Sequence, residues 1–266
     1  NHDIRKIKLF VNHNRESEKI ALKVMKKLEQ KGFIVTEDNY DLAIAIGGDG
    51  AFLRMVKETN FNSNICYVGI NTGTLGFLQE ISKDDIDSFV NKLKSKDFKM
   101  EYISIQETTV KTRKDSDWFL SLNEIVVRDK DLNTTMLNIK IDEVLLEKFV
   151  GDGILIATST GTTAYNLSFG GSIVYPTFHT LELTPIAPLN SKAYRVLTNS
   201  VIIPENKVVT LTPLKGKENL LITVDGENKI YEEVLEVKTV VNQKRISCLR
   251  MKEYNFIDII QEKFLK

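Results

Sequence analysis

From its first residues the chain alternates apolar runs with amphipathic stretches. Positions 7–11 form a short apolar run and 12–14 a polar break. Residues 15–31 then carry Ile20, Leu22, Val24, Met25 and Leu28 at helical spacing, with Gly32 placed as a C-cap. A strand is predicted at 33–35. The continuous apolar runs 42–46 and 66–70 read as strands buried on both faces, the pattern of a parallel sheet. Helical patterns at 51–56 and 83–94 complete a βαβ alternation. An α/β N-terminal domain with a parallel sheet is therefore expected over residues 1–99.

Past residue 100 the period shortens. β-prone runs occur at 108–112, 118–122, 124–128, 137–141, 154–157, 201–203, 208–211, 220–224 and 235–241. They predict an all-β C-terminal domain over 100–266, interrupted by a helical segment near 162–170 and closed by a C-terminal helix at 257–264. No repeat with a period of 20–50 residues is present.

Charge changes the picture mainly by exclusion. The 266 residues include 36 Lys+Arg and 36 Asp+Glu, a net charge of +0. That balance argues against a general nucleic-acid binder, so no nucleic-acid partner is expected. No uncharged apolar run approaches the roughly 18 residues a membrane span needs, so no membrane partner is expected either. Residues 1–11 lack the apolar core of a signal peptide, which points to a cytoplasmic protein. Cys66 and Cys248 stand in apolar contexts and are expected as small core residues.

Eleven of the 14 glycines fall in two windows, one at positions 47–76 and one at 151–171. The first holds Gly47-Gly48-Asp49-Gly50, directly after a buried strand and before a helical pattern. Ligands of open α/β sheets bind at that strand end, and N–H groups at a helix start receive phosphate. Asp49 inside the loop would repel phosphate. It is better suited to serve as a general base for a hydroxyl or as an acceptor holding Mg²⁺. An aspartate capping the helix is the structural alternative. The second window runs Gly151-Asp152-Gly153, an apolar strand, then Thr158-Ser159-Thr160-Gly161-Thr162-Thr163-Ala164-Tyr165-Asn166-Leu167-Ser168. Hydroxyls beside one tyrosine suit a nucleotide's ribose and base. No Walker loop, dinucleotide G-x-G-x-x-G, H-E-x-x-H or G-x-S-x-G is present, and His2, His13 and His179 are scattered.

Taken in order, Gly-Gly-Asp-Gly at 47–50, Asn71-Thr72-Gly73-Thr74-Leu75-Gly76-Phe77, Leu122-Asn123-Glu124, Gly151-Asp152-Gly153, Thr160-Gly161-Thr162-Thr163-Ala164-Tyr165, Leu183-Thr184-Pro185-Ile186-Ala187-Pro188 and Val224-Asp225-Gly226 resemble the NAD kinase family. The resemblance implies transfer of a phosphoryl group from ATP to the 2′-hydroxyl of the adenosine ribose of NAD, with Mg²⁺ or another divalent metal and no metal-binding residue of its own assigned. By position, Asp49 would be the base, with Gly50 lining the phosphate approach. Asn123 and Glu124 would bind the dinucleotide's sugar and base edges. Asp152 would meet an amide edge in a homodimer or homotetramer. Thr163, Ala164, Tyr165, Asn166, Leu167 and Ser168 would grip the substrate. Ala187 would line the site, and Phe77 would close its mouth. Ala51, Val150, Ser159 and Glu227 depart from the family pattern.

Two other readings share part of this signature. A diacylglycerol-type lipid kinase also carries Gly-Gly-Asp-Gly, but calls for an apolar cleft where this chain has a hydroxyl-rich segment. A non-catalytic dinucleotide sensor would bind NAD and make no product.

Overall fold

The runs at 42–46 and 66–70 become strands in which every residue is buried. The structure, a computed structural model, describes residues 3–74 and 76–266; Asn1, His2 and Leu75 of the Asn71-to-Phe77 motif lie outside the described residues. The chain runs β1 (Lys6–Val11), α1 (Arg15–Gln30), β2 (Ile34–Val35), β3 (Leu42–Gly47), α2 (Asp49–Glu58), β4 (Cys66–Asn71), β5 (Ile81–Ser82), α3 (Ile86–Ser95) and β6 (Phe98–Thr112). It continues through β7 (Ser116–Ser121), β8 (Glu124–Asp129), β9 (Thr135–Ile141), β10 (Val144–Gly151) and β11 (Gly153–Thr158). A 3₁₀ turn (Thr160–Thr163) and the single turn α4 (Tyr165–Ser168) follow. The remainder is β12 (Thr180–Ile186), β13 (Val201–Pro204), β14 (Val209–Pro213), β15 (Leu220–Val224), β16 (Glu227–Tyr231), β17 (Val234–Met251) and α5 (Phe256–Phe264).

Two compact units result, Asn1–Tyr102 with Ile246–Lys266, and Ile103–Arg245. In the first, β2, β1, β3 and β4 pair in that order, all parallel. Helix α1 is started by Asn14, whose side chain accepts the Ser17 N–H at 2.8 Å. It buries Ile20, Val24 and Leu28, the i, i+4, i+8 row, while Leu22 points to solvent. The expected boundary would assign residues 246–266 to the β-rich part. They belong instead to the first unit, because the end of β17 is a parallel strand of its sheet, with Ser247 opposite Cys66 and Cys248 opposite Tyr67. Leu249 and Met251 sit in that unit's core. Both cysteines are free and buried.

The second unit contains a six-stranded antiparallel sheet in the order β13-β12-β11-β8-β15-β16. It also contains the antiparallel ladder of β10, β9 and β14 and the hairpin β6–β7. Ile125, Val127, Ile139, Ile156, Leu211 and Ile222 share one core. Three of its strands lack a clear sequence signal. A register shift between Leu145 and Glu147 breaks the alternation of β10. Pro185 interrupts the strand pattern of β12; its missing N–H costs nothing, because β13 pairs only as far as Leu183. β16 is an edge strand rich in exposed polar residues.

Candidate functional site

In the first unit, register sets the geometry. Gly47 lies opposite Asn71, so the segments leaving β3 and β4 run side by side. Thr72 N–H donates to the Gly47 carbonyl at 3.2 Å, and Gln79 Nε2 donates to the Gly48 carbonyl at 2.6 Å. Gly48 occupies the N-cap, and Asp49 is the first helical residue, where the helix dipole favours a carboxylate. Both carboxylate oxygens are held: Phe77 N–H donates to Oδ2 and Leu78 N–H to Oδ1, each at 3.0 Å. Gly76 lies hard against this group, and a Cβ there would stand 2.0 Å from Asp49 Oδ1. Gly50 is exposed and has no atom within 4 Å of where a Cβ would go, so a phosphate can come close to its backbone. The Phe77 ring packs on Phe256 and Phe264 of α5.

In the second unit, Asp225, at φ +46° in the turn between β15 and β16, gathers three backbone donors. Leu122, Asn123 and Glu124 N–H reach its carboxylate at 2.7, 2.8 and 3.1 Å, which fixes the start of β8. Burial raises the Asp225 pKa, and these three donors oppose the rise. Glu124, opposite Ala157 in the sheet, is 7% exposed, and its Oε2 has no partner among the described residues. Desolvation pushes its carboxyl up to about 8; the nearby Asp225 adds to that, and the Tyr165 backbone N–H pulls the other way. Glu124 is therefore a neutral acid at pH 7, able to donate as well as accept. The Asn123 carbonyl accepts Thr158 N–H at 2.8 Å, and Gly161 lies so close that a Cβ would stand 1.9 Å from that oxygen.

The hydroxyl-rich segment divides into inward and outward groups. Tyr165 is 42% exposed, with its ring edge-on to Phe169 at 4.7 Å and its hydroxyl accepting from Arg128 Nη2 at 3.3 Å. Ser168 is exposed, while Thr163, Ala164 and Leu167 are half-buried. Thr163 Oγ1 donates to the Thr160 carbonyl at 3.3 Å. Asn166 has no exposed surface: its amide donates to Glu182 Oε2 at 3.1 Å and accepts from Thr184 Oγ1 at 2.5 Å. Both ends of this amide are thus engaged by its own chain. Asp152 and Ala187, both exposed, flank the β11–β12 pair at the end where Gly153 faces Ile186.

Asp49, Gly50 and Phe77 thus belong to the first unit, and the other ten expected residues to the second. Sequence reasoning gave no role to Asp225, Arg128 or Glu182. Val224-Asp225-Gly226 was visible as one of the motifs of the resemblance, and Arg128 as the end of the run at 124–128, but neither shows its partners in the sequence. Among the described residues no group of three or more His, Cys, Asp and Glu could hold a metal ion, and no helix is long and apolar enough to cross a membrane.

A carboxylate held by two backbone amides beside open glycine backbone lies in the first unit, and a buried glutamate beside a hydroxyl-rich turn lies in the second. Residues 9–98 match the ATP-NAD kinase N-terminal domain and residues 122–246 the ATP-NAD kinase C-terminal domain. The chain is 40% identical to the NAD kinase of Finegoldia magna over the whole of both chains. In fold it is similar to a yeast NADH kinase complexed with NADH (TM-score 0.83, 20% identity, covering 98% of this chain and 87% of that one). It is similar also to an NAD kinase from Archaeoglobus fulgidus in complex with ATP (TM-score 0.76, 20% identity, covering 97% of each). The chain belongs to the ATP-NAD kinase family, and its reaction is the phosphorylation of NAD by ATP.

Proposed function

We propose that Asp49 is the base of this reaction and that the adenosine ribose 2′-hydroxyl of NAD is the acceptor. The proton of that hydroxyl passes to an Asp49 oxygen as the ribose oxygen bonds to the γ-phosphorus. The bond from that phosphorus to the bridging oxygen breaks, and ADP leaves. The observation that carries this reading is the two-point hold on the Asp49 carboxylate by Phe77 and Leu78 N–H. Each oxygen spends one acceptor site on the backbone and keeps others for a substrate hydroxyl, in a fixed direction.

On the same reading Glu124, as a neutral acid, donates to one dinucleotide oxygen or nitrogen and accepts from another, with Asn123 beside it. Tyr165 offers a ring face, and Thr163, Ala164, Leu167, Ser168 and Ala187 line the substrate. Asn166 supports them from beneath. A divalent cation such as Mg²⁺ fits this donor set as a companion of ATP, because Mg²⁺ is commonly held by one or two carboxylates plus substrate phosphates rather than by an all-protein cage. Bound there, it would take the ATP phosphates as its main ligands and would neutralise their charge, while Asp49 keeps its open acceptor sites for the hydroxyl. A homodimer or homotetramer in the cytoplasm, with exposed Asp152 meeting a neighbouring subunit's substrate, belongs to the same proposal. Sedimentation of wild type and Asp152→Ala with and without NAD tests that part.

The test of the base is a coupled assay in which an NADP-specific dehydrogenase reports product from NAD, ATP and Mg²⁺. Asp49→Asn should keep NAD binding by calorimetry and lose about 10²–10⁴-fold in kcat. Near-full turnover in that variant would remove Asp49 from the role.

A further inference from the structure

The segment that holds Asp49 is itself held by the end of the chain. Phe77, whose N–H grips Asp49 Oδ2, carries a ring seated against both ends of α5. Its centroid lies 6.0 Å from that of Phe256, at the helix start, and 5.5 Å from that of Phe264, at its end. Lys263 Nζ stands 5.4 Å from the same ring. At its start Asn255 caps the helix by accepting Ile257 N–H at 3.0 Å, and Lys99 Nζ ties it to β6 by donating to the Tyr254 carbonyl at 2.9 Å. Glu80, three residues past Phe77, accepts Met251 N–H at 2.6 Å. Residues 77–80 are thus fastened to 251–264, far away in sequence, while the Phe77 and Leu78 amides aim at one carboxylate.

We propose that α5 is a positioning element for the phosphoryl-transfer step, acting through Phe77 to fix the Asp49 carboxylate. The inference rests on the reading of Asp49 as the base and adds that Phe264, which touches no reacting atom, sets its aim. Loss of the Phe264 ring frees the Phe77 segment, the two N–H donors loosen, and the carboxylate samples directions unproductive for proton transfer. Substrate affinity, which depends on other residues, stays as it was.

The test is a double-mutant cycle in the coupled assay on the full chain: Phe264→Ala, Phe264→Leu, Asp49→Asn and Phe264→Ala/Asp49→Asn. Phe264 is 43% exposed, so its truncation leaves the core intact. The expected result for Phe264→Ala is a fall in kcat of about tenfold or more, with KM for NAD and ATP within about twofold. Phe264→Leu should recover most of that loss, and Phe264→Ala should cost nothing further in the Asp49→Asn background. An equal cost in both backgrounds, a rise in KM in place of the fall in kcat, or a leucine variant as poor as alanine overturns the positioning role and leaves Asp49 as base. Wild-type turnover by Asp49→Asn overturns the base reading instead. Amide exchange gives a second readout that does not depend on turnover. Phe77 and Leu78 N–H should exchange about tenfold faster in Phe264→Ala with β3 and β4 amides unchanged, and unchanged exchange at Phe77 and Leu78 overturns the proposal.

Discussion

Asn166 and Glu182 lock together at 3.1 Å with neither side chain exposed. Glu182 also accepts Ser172 N–H at 2.7 Å, so one buried carboxylate ties the turn after α4 to β12. Removing the amide leaves a buried carboxyl oxygen of Glu182 without its donor, a change that typically costs about 1–3 kcal/mol. Asn166→Ala is therefore expected to lower stability by about that amount in urea denaturation, with KM for NAD in the folded fraction nearly unchanged. A large rise in KM at unaltered stability would return Asn166 to the substrate.

Glu124 makes stability depend on pH in a direction opposite to that of an ordinary ion-paired carboxylate. Its folded value is raised from 4.5 to about 8, so between those values the unfolded chain has lost the proton that the folded chain keeps. Stability contributed by this group is complete below pH 4.5 and is lost as pH rises toward 8, at up to about 1.4 kcal/mol per pH unit. Glu124→Gln removes the titration. Thermal melts of the ligand-free protein should show wild type losing ground to Glu124→Gln steadily from pH 5 to pH 8, and parallel curves would refute the raised value.

Arg250, near the end of β17, lies 3.3 Å from Glu80 and 3.0 Å from Glu101, and stacks on the Tyr254 ring at 4.4 Å. Burial raises the Glu80 pKa, and the guanidinium is the main force pulling it back. Arg250→Met leaves two carboxylates without their cation, at a typical cost of about 3–5 kcal/mol. Because Glu80 then rises further, the deficit should be larger at pH 8 than at pH 5 in urea denaturation. Equal losses at the two pH values would mean that packing, rather than charge, is what Arg250 supplies.

The parts of this molecule legible in sequence are those whose cause is local. β3 and β4 show because strands covered on both faces must be apolar throughout. α1 shows because Asn14 and the spacing of Ile20, Val24 and Leu28 lie within one segment. Asp49 was singled out because glycines on both sides have a local backbone reason. What stayed hidden depends on distant partners. The parallel pairing of Ser247 and Cys248 with β4 leaves no mark on either segment, so residues 246–266 were expected with the wrong unit. Asn166 carries the same letters whether it faces a nucleotide or Glu182. Nothing near Phe77 in the sequence announces Phe264.

Gly76 offers the most direct test of how closely the Asp49 carboxylate must be held. A Cβ at this position would stand 2.0 Å from Oδ1 and 2.6 Å from the carboxyl carbon, well inside any tolerable contact. The obstacle is the end of an aspartate side chain, which ordinarily swings aside at little cost. Here it cannot do so without giving up the N–H groups of Phe77 and Leu78. Gly76→Ala should therefore displace the carboxylate proposed as the base while leaving β3, β4 and the core untouched. Displacement of a reacting group by about 1 Å costs on the order of 10²-fold in rate, so kcat should fall by about that factor. The melting temperature should move by only a few degrees, as expected for a change of about 1 kcal/mol. Steady-state kinetics beside a thermal melt separates the two effects. A variant that melts early but turns over normally would show that the glycine serves the fold and that the carboxylate has room to spare.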